Sequence, residues 1–190
     1  SQVQGLLEDV EQRGNDLHYM VIYLSPGDYH RFHSPAIHTA RYRRHIVGYL
    51  EPVKPAYVKK HKDVFKQNER VNIFGEWYGS QQNFFFLSYV GALNVGSIKL
   101  DFDTEVVTNM TRNYEPYYYD LAYTKRKMTG PLSDYAELGA PFTPKPDGDG
   151  MREFKKGEMT GRFEMGSTIV LMWESPKNTM VHVVEGQKVS

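Results

Sequence analysis

The stretch from Arg162 to Glu174, RFEMGSTIVLMWE, constrains this chain most. Phe163, Met165, Ser167, Ile169, Leu171 and Trp173 fall on one parity, and such alternation predicts a strand with one face on a core. Gly166 interrupts the run. A glycine inside a strand pattern marks a bulge, a kink or a close backbone approach. Ser167 follows it on the inward parity. The stretch alone places a small hydroxyl at a strained peptide bond beside a core, and its simplest reading is a β-bulge.

The rest of the chain is consistent with a folded domain around that strand. Its 190 residues fit one domain, 1–190, with room for a sizeable core. Charged residues make up 24% and cancel to a net charge of zero, which argues against a nucleic-acid binder. Tyrosine (14) and phenylalanine (10) are abundant, and both favour strands. The absence of cysteine excludes disulfides, thiol nucleophiles and cysteine metal sites. No apolar run is long enough to span a bilayer, so membrane contact is expected to be peripheral or to come from sequence not present here.

Taken in order, Val3, Leu6, Leu7 and Val10 predict a short amphipathic helix over residues 2–12. His18 to Leu24 reads as a buried strand, and Ser25-Pro26-Gly27-Asp28 as a turn. The turn leads into DYHRFHSP, where His30 and His33 stand three apart. They suit ordinary hydrogen bonding, a general acid/base pair or, more weakly, metal ligation. Arg41 to His45, RYRRH, reads as a solvated strand or as a patch facing phosphate, with Arg43 and Arg44 as the candidate forks. A short helix is expected after Pro55 and a strand through Phe74. A turn at Glu76–Gln82, an apolar strand at Asn83–Val90 and a strand at Ile98–Phe102 follow. Residues 109–150 read as a long turn-rich segment whose tyrosines line an interface or cover a sheet edge. A last short strand is expected at Val181–Val184. The sum is an α+β, mostly β domain: a barrel-like or sandwich sheet core with short helices.

Five segments in this order, YLSPGDYHRFHSP, RRH, NER, VGALNVGSI and KGEMTGRFEMGSTIVL, make the chain resemble the phosphatidylserine decarboxylase family, closest to its mitochondrial type. The resemblance runs from about Tyr23 to Gly186 and leaves out 120–150. It implies a zymogen that cuts itself between Gly166 and Ser167 into a long chain, 1–166, and a short chain, 167–190. Ser167 would become a pyruvoyl group, the only cofactor, which forms a Schiff base with the serine amine of phosphatidylserine and leads to phosphatidylethanolamine. Carried over by motif, His33 is the triad base for self-cleavage and His30 the group that handles decarboxylation and proton transfer. Phe32, Leu93, Arg43 and Arg44 are weaker candidates for holding substrate. No metal is implied and no nucleic acid. The implied partners are phosphatidylserine at a membrane surface and the two chains of one precursor; the tyrosines of 114–123 are the expected contact for a second copy, read from their clustering. The implied location is the mitochondrial inner membrane, with the anchor outside this sequence.

Two departures from the family pattern carry expectations. The family's triad aspartate lies in an upstream Asp-Gly motif, and no Asp-Gly precedes His30; Asp9, Asp16 and Asp28 do not match it. The chain is thus expected to be a fragment that matures poorly, because a triad histidine without its carboxylate loses the group that orients it. Leu93 replaces the commoner threonine, and Met165 replaces leucine at nearly constant volume. The alternatives are an uncleaved relative that binds lipid or serves assembly, and a metal hydrolase using His30, His33 and His45.

Overall fold

The computed structural model describes residues 2–78, 82–93, 97–109, 117–123, 126–131, 152–164 and 167–188. Helix α1 (Gln2–Gln12) ends at Gly14, whose positive φ of 74° turns the chain directly into strand β1 (Asn15–Leu24). Next come β2 (Arg31–His33), β3 (His38–Val47), the one-turn helices α2 (Pro55–Val58) and α3 (Val64–Gln67), β4 (Arg70–Tyr78) and β5 (Gln82–Val90). The chain continues with β6 (Ile98–Leu100), β7 (Tyr117–Ala122), β8 (Arg126–Pro131), β9 (Arg152–Phe154), β10 (Met159–Phe163) and β11 (Ser167–Pro176).

Two antiparallel sheets face each other. The larger runs β1-β11-β5-β4-β3-β7-β8, with β9 also paired to β3; the smaller runs β2-β10-β6. The main core lies between them. Phe32, Ile98, Leu100 and Phe163 from the small sheet meet Ala40, Val71, Ile73, Phe85, Leu87, Tyr89 and Ile169 from the large one. Phe32 stacks on Tyr89 at 4.0 Å between ring centres, and its edge meets Phe163 at 5.1 Å. A second, smaller core covers the outer face of the large sheet, where Val53 and Val64 pack on Val90 and Ala92. The mostly β expectation therefore holds, and the architecture is an open sandwich rather than a closed barrel.

Four sequence expectations are corrected. The run Arg162–Glu174 is not one strand: β10 ends at Phe163 in the small sheet and β11 begins at Ser167 in the large one. Parity survives the break, since Phe163 and Ile169 both enter the same core, joined by Leu171 and Trp173. Glu76 and Trp77 lie within β4 and not in a turn, because Arg41 binds Glu76 at 2.7 Å and the Trp77 indole donates to the Glu174 carbonyl at 2.7 Å. Residues 79–81 lie outside the described residues. Within 109–150, Tyr117–Ala122 and Arg126–Pro131 form a hairpin that extends the sheet from β3, with Tyr118 buried; Tyr114 and residues 132–150 lie outside the described residues. Finally, residues 181–184 carry no strand; Val184 stays 75% exposed.

The basic run on β3 is also not solvated. A bulge at Arg41, between Ala40 and Tyr42, marks where β3 changes neighbours from β9 to β7. Beyond it Arg43 binds Asp103 at 3.0 Å with both side chains buried, and Arg44 forks onto Asp120 at 2.7 and 2.6 Å. His45 meets Glu69 at 2.8 Å, also buried. Each of these basic side chains enters the interior because a carboxylate from a neighbouring segment meets it there.

His38 is another interior polar residue. Its ring lies between Phe85 and Phe154 and its Nδ1 donates to the Ser34 hydroxyl at 2.7 Å. Burial pushes its pKa down to about 4 from 6.5. Between those values the unfolded chain binds a proton that the folded chain refuses. Stability is thus fully present above about pH 6.5 and falls as pH is lowered toward 4, by up to about 3 kcal/mol. Urea titrations across this window are expected to show that slope, and His38→Gln is expected to flatten it. Gly161 supplies a second test. A Cβ there would meet the Lys99 carbonyl at 2.2 Å and the Phe32 ring at 2.6 Å. Gly161→Ala is expected to lower folding stability by about 1–3 kcal/mol in the same assay.

Candidate active site at the crossing between the sheets

Two connections pass between the sheets side by side. One joins Phe163, the end of β10, to Ser167, the start of β11. The other joins Leu24, the end of β1, through the Ser-Pro-Gly-Asp turn to His30 and β2. Their ends are matched: Ser167 pairs with Leu24 in the large sheet, and the Phe163 amide donates to the His30 carbonyl at 2.9 Å. The turn itself is held by the Asp28 amide on the Ser25 carbonyl and the Ser25 amide on the Asp28 carboxylate, at 2.9 and 2.8 Å. That backbone donor holds the Asp28 carboxyl below the usual carboxylate range.

Three polar atoms at or near this crossing are orphaned. Ser167 is fully buried, and its Oγ has no hydrogen-bond partner among the described residues. The same holds for Thr168 Oγ1, next along β11, and for His30 Nε2. Buried groups of this kind are normally paired, so an unpaired hydroxyl and an unpaired imidazole nitrogen call for a chemical explanation. His30 Nδ1 bonds the Asp28 carbonyl, which can only accept. Nδ1 therefore carries the proton, and in the neutral ring Nε2 presents its lone pair. Met165 and Gly166 lie outside the described residues, so the expected scissile bond is placed only through Ser167.

His33 is placed differently. It sits at the far end of β2, opposite Met159, whereas His30 lies beside Phe163. Along β10 that separation amounts to about 13 Å. His33 Nδ1 donates to the Gly157 carbonyl at 2.9 Å, so its Nε2 accepts from the Tyr29 hydroxyl at 2.9 Å. The two rings stack at 5.8 Å. Both histidines thus share one tautomer, set by a backbone carbonyl in each case. Tyr29 was legible only as part of the DYHRFH string; nothing in the spacing pointed to its contact with His33.

The remaining candidates are scattered. Phe32 is 4% exposed and belongs to the main core. Arg43 and Arg44 face Asp103 and Asp120. Leu93 stands 57% exposed, just past the end of β5. His45 is held by Glu69, against the Tyr119 ring, so it does not join His30 and His33 as a third ligand. No group of three or more metal-ligating side chains forms among the described residues.

Comparison with known proteins gives this geometry a family. The family model described as phosphatidylserine decarboxylase matches residues 1–190. The chain belongs to the phosphatidylserine decarboxylase family. It is 40% identical over 180 residues to a mitochondrial phosphatidylserine decarboxylase proenzyme of Cricetulus griseus, covering 95% of this chain and 38% of that protein. The mitochondrial proenzyme 1 of Saccharomyces cerevisiae is 40% identical over 184 residues, covering 94% of this chain and 32% of that one. That of Caenorhabditis elegans is 37% identical over 161 residues, covering 85% and 35%. The chain thus spans about a third of the length of the curated relatives it matches. Among the described residues no helix is long and apolar enough to cross a membrane.

Phe32 separates a core role from a substrate role. Phe32→Ala is expected to cost about 3–5 kcal/mol of folding stability in a urea titration, the range for truncating a buried aromatic. A residue that only touched substrate would leave the midpoint unchanged.

Proposed function

We propose that this chain is the catalytic core of a phosphatidylserine decarboxylase made as a proenzyme, and that Ser167 is the residue its maturation consumes. The observation that carries this reading is the Ser167 Oγ, fully buried at the sheet crossing without a partner. Its surroundings fit the conversion: the hydroxyl is shielded from water, and the orphaned His30 Nε2 belongs to the companion crossing.

In the proposed maturation, Ser167 Oγ attacks the Gly166 carbonyl carbon as a base takes the hydroxyl proton. The amide nitrogen leaves as an amine, and the chain is then joined through an ester. Loss of the Ser167 α-proton with cleavage of the Cβ–O bond releases Gly166 as a carboxylate. Hydrolysis of the resulting enamine expels ammonia and leaves a ketone at residue 167. His33 is proposed as the base for the first transfer from the family motif: its Nδ1–H is fixed by the Gly157 carbonyl and its Nε2 can accept, but it stands about 13 Å along β10 from the crossing and has to approach Ser167 for the transfer. Tyr29, which occupies that nitrogen, must give it up. When formed, the ketone supplies the electron sink for decarboxylating the serine headgroup, the part pyridoxal phosphate plays elsewhere. His30 is proposed to hold and return the proton at the carbon that loses carbon dioxide, with Nε2 as the working atom. The products are a long chain, 1–166, and a short chain, 167–190. A mitochondrial location follows the relatives' names, membrane association is proposed from the lipid substrate, and the β7–β8 hairpin, with Tyr119 exposed, is the proposed contact for a second copy.

Intact mass tests this directly, on the present chain and on a longer version carrying upstream sequence. Two pieces split before Ser167, the shorter one reactive toward hydrazine, are the expected result in at least the longer version. Ser167→Ala and His33→Gln are expected to remain uncut. His30→Gln is expected to cut normally and to lose at least about a hundred-fold in carbon dioxide release, the usual contribution of a positioned acid or base. One uncut mass in both versions would refute the reading and leave the lipid-binding alternative.

A further inference from the structure

The segment between β3 and β4 concentrates positive charge that the established family chemistry does not use. Lys54, Lys59, Lys60, Lys62 and Lys66 are all exposed, around the one-turn helices α2 and α3. None of them forms an ion pair among the described residues. The carboxylates nearby are mostly engaged: Glu51 accepts from the Tyr57 hydroxyl, and Glu69 is buried against His45. Only Asp63 is exposed within 51–69. Because the whole chain is neutral, this charge is a local feature of one surface.

Its position is also specific. Val53 and Val64, from the same segment, pack on Val90 and Ala92, with Tyr23 and Val170 against them. Tyr23 precedes the partner of Ser167, and Val170 lies three residues beyond it. Asn68 ties the segment down further by donating to the Glu51 and Gly91 carbonyls. The lysines therefore belong to a segment whose apolar side chains pack on the large sheet near its Ser167 end. Two exposed apolar side chains adjoin this segment along the chain: Leu93, 57% exposed, directly follows Ala92 of the small core, and Tyr49, 44% exposed, is bridged to Asn68. Cations beside exposed apolar groups suit a bilayer surface, where the charges meet lipid headgroups and the apolar groups reach the acyl boundary.

We propose that Lys54, Lys59, Lys60, Lys62 and Lys66 form a docking collar for an anionic bilayer surface, with Leu93 and Tyr49 as its apolar contacts. The collar recognises surface charge and not one headgroup. Its consequence rests on the decarboxylase reading: the substrate lipid carries net negative charge and its product carries none. Docking then weakens as the substrate in a patch of membrane is consumed, and the enzyme moves to patches still rich in it.

Vesicle sedimentation of the uncut or cut chain tests the collar without using catalysis. The chain is expected to bind vesicles of phosphatidylcholine mixed with phosphatidylserine or phosphatidylglycerol, less so at raised salt. It is expected not to bind phosphatidylcholine alone or mixed with phosphatidylethanolamine. Combined Lys59→Glu, Lys60→Glu and Lys62→Glu is expected to lower partitioning at least about ten-fold with an unchanged melting curve. The corresponding glutamine variant is expected to fall between, and Lys177→Glu, remote from the collar, to bind normally. Equal binding to neutral vesicles, no binding to anionic ones, or unaltered binding by the glutamate and glutamine variants would each overturn the proposal; the second outcome would turn the search toward an acidic protein. The ketone at residue 167 is scored separately, so failure of the collar and failure of the decarboxylase reading are distinguishable.

Discussion

The position of Ser167 depends on a carboxylate at the other end of the same strand. Glu174 is fully buried and accepts from Arg13 at 2.7 and 2.9 Å, from Asn15 at 2.7 Å and from the Phe84 amide at 3.0 Å. Burial alone opposes its ionisation and is the largest single influence, yet these donors together hold its pKa below the usual value. They come from the end of α1, from β1 and from β5, while Trp77 of β4 reaches the Glu174 carbonyl. Four neighbours thus fix one residue of β11. A strand whose register slipped by one residue would turn every side chain to the opposite face. With Glu174 pinned, the ten-residue pairing of β11 with β1 places Ser167 opposite Leu24 and facing the core.

Charge plays a different part elsewhere in the large sheet. Arg43, Arg44 and His45 are consecutive on β3, so they alternate between its faces, and each meets its own carboxylate: Asp103, Asp120 or Glu69. Asp103 also accepts from Tyr123, and Glu69 from the Asn109 amide, so loops outside the strands are drawn onto the sheet. Such pairs add little net stability over apolar packing, but an unpaired member would be costly, which makes the arrangement specific. The same reasoning explains why the basic run does not face solvent while the lysines around α2 and α3 do. Lysine heads are strongly hydrated, and no acidic partner waits for them inside.

Much of this was legible in the sequence. The parity of Phe163, Ile169, Leu171 and Trp173 correctly named one core face, α1 followed from its periodicity, and β1 from its apolar run, although Tyr19 and Val21 are exposed where a buried strand was expected. The motif order carried the family. What periodicity did not convey was the jump between sheets at the Gly-Ser step, because parity is conserved across it. The burial of Arg43 was hidden for a similar reason: its partner Asp103 lies 60 residues away, in a turn with no distinguishing pattern. The Tyr117–Ala122 strand was obscured by the proline- and glycine-rich sequence that follows it. The unequal placement of His30 and His33 along β10 required the register of β2, which a three-residue strand does not reveal.

β11 is an interior strand, paired to β1 along ten residues and to β5 along six. A cut before Ser167 would remove its covalent tie but none of those ladders. The mature molecule would then be a two-piece complex whose second member begins with that interior strand. Folding before the cut is unimolecular; reassembly after it is bimolecular and depends on dilution. A processed molecule that unfolds in dilute solution would lose that strand, so a cut at this place would convert a reversible fold into one sustained kinetically.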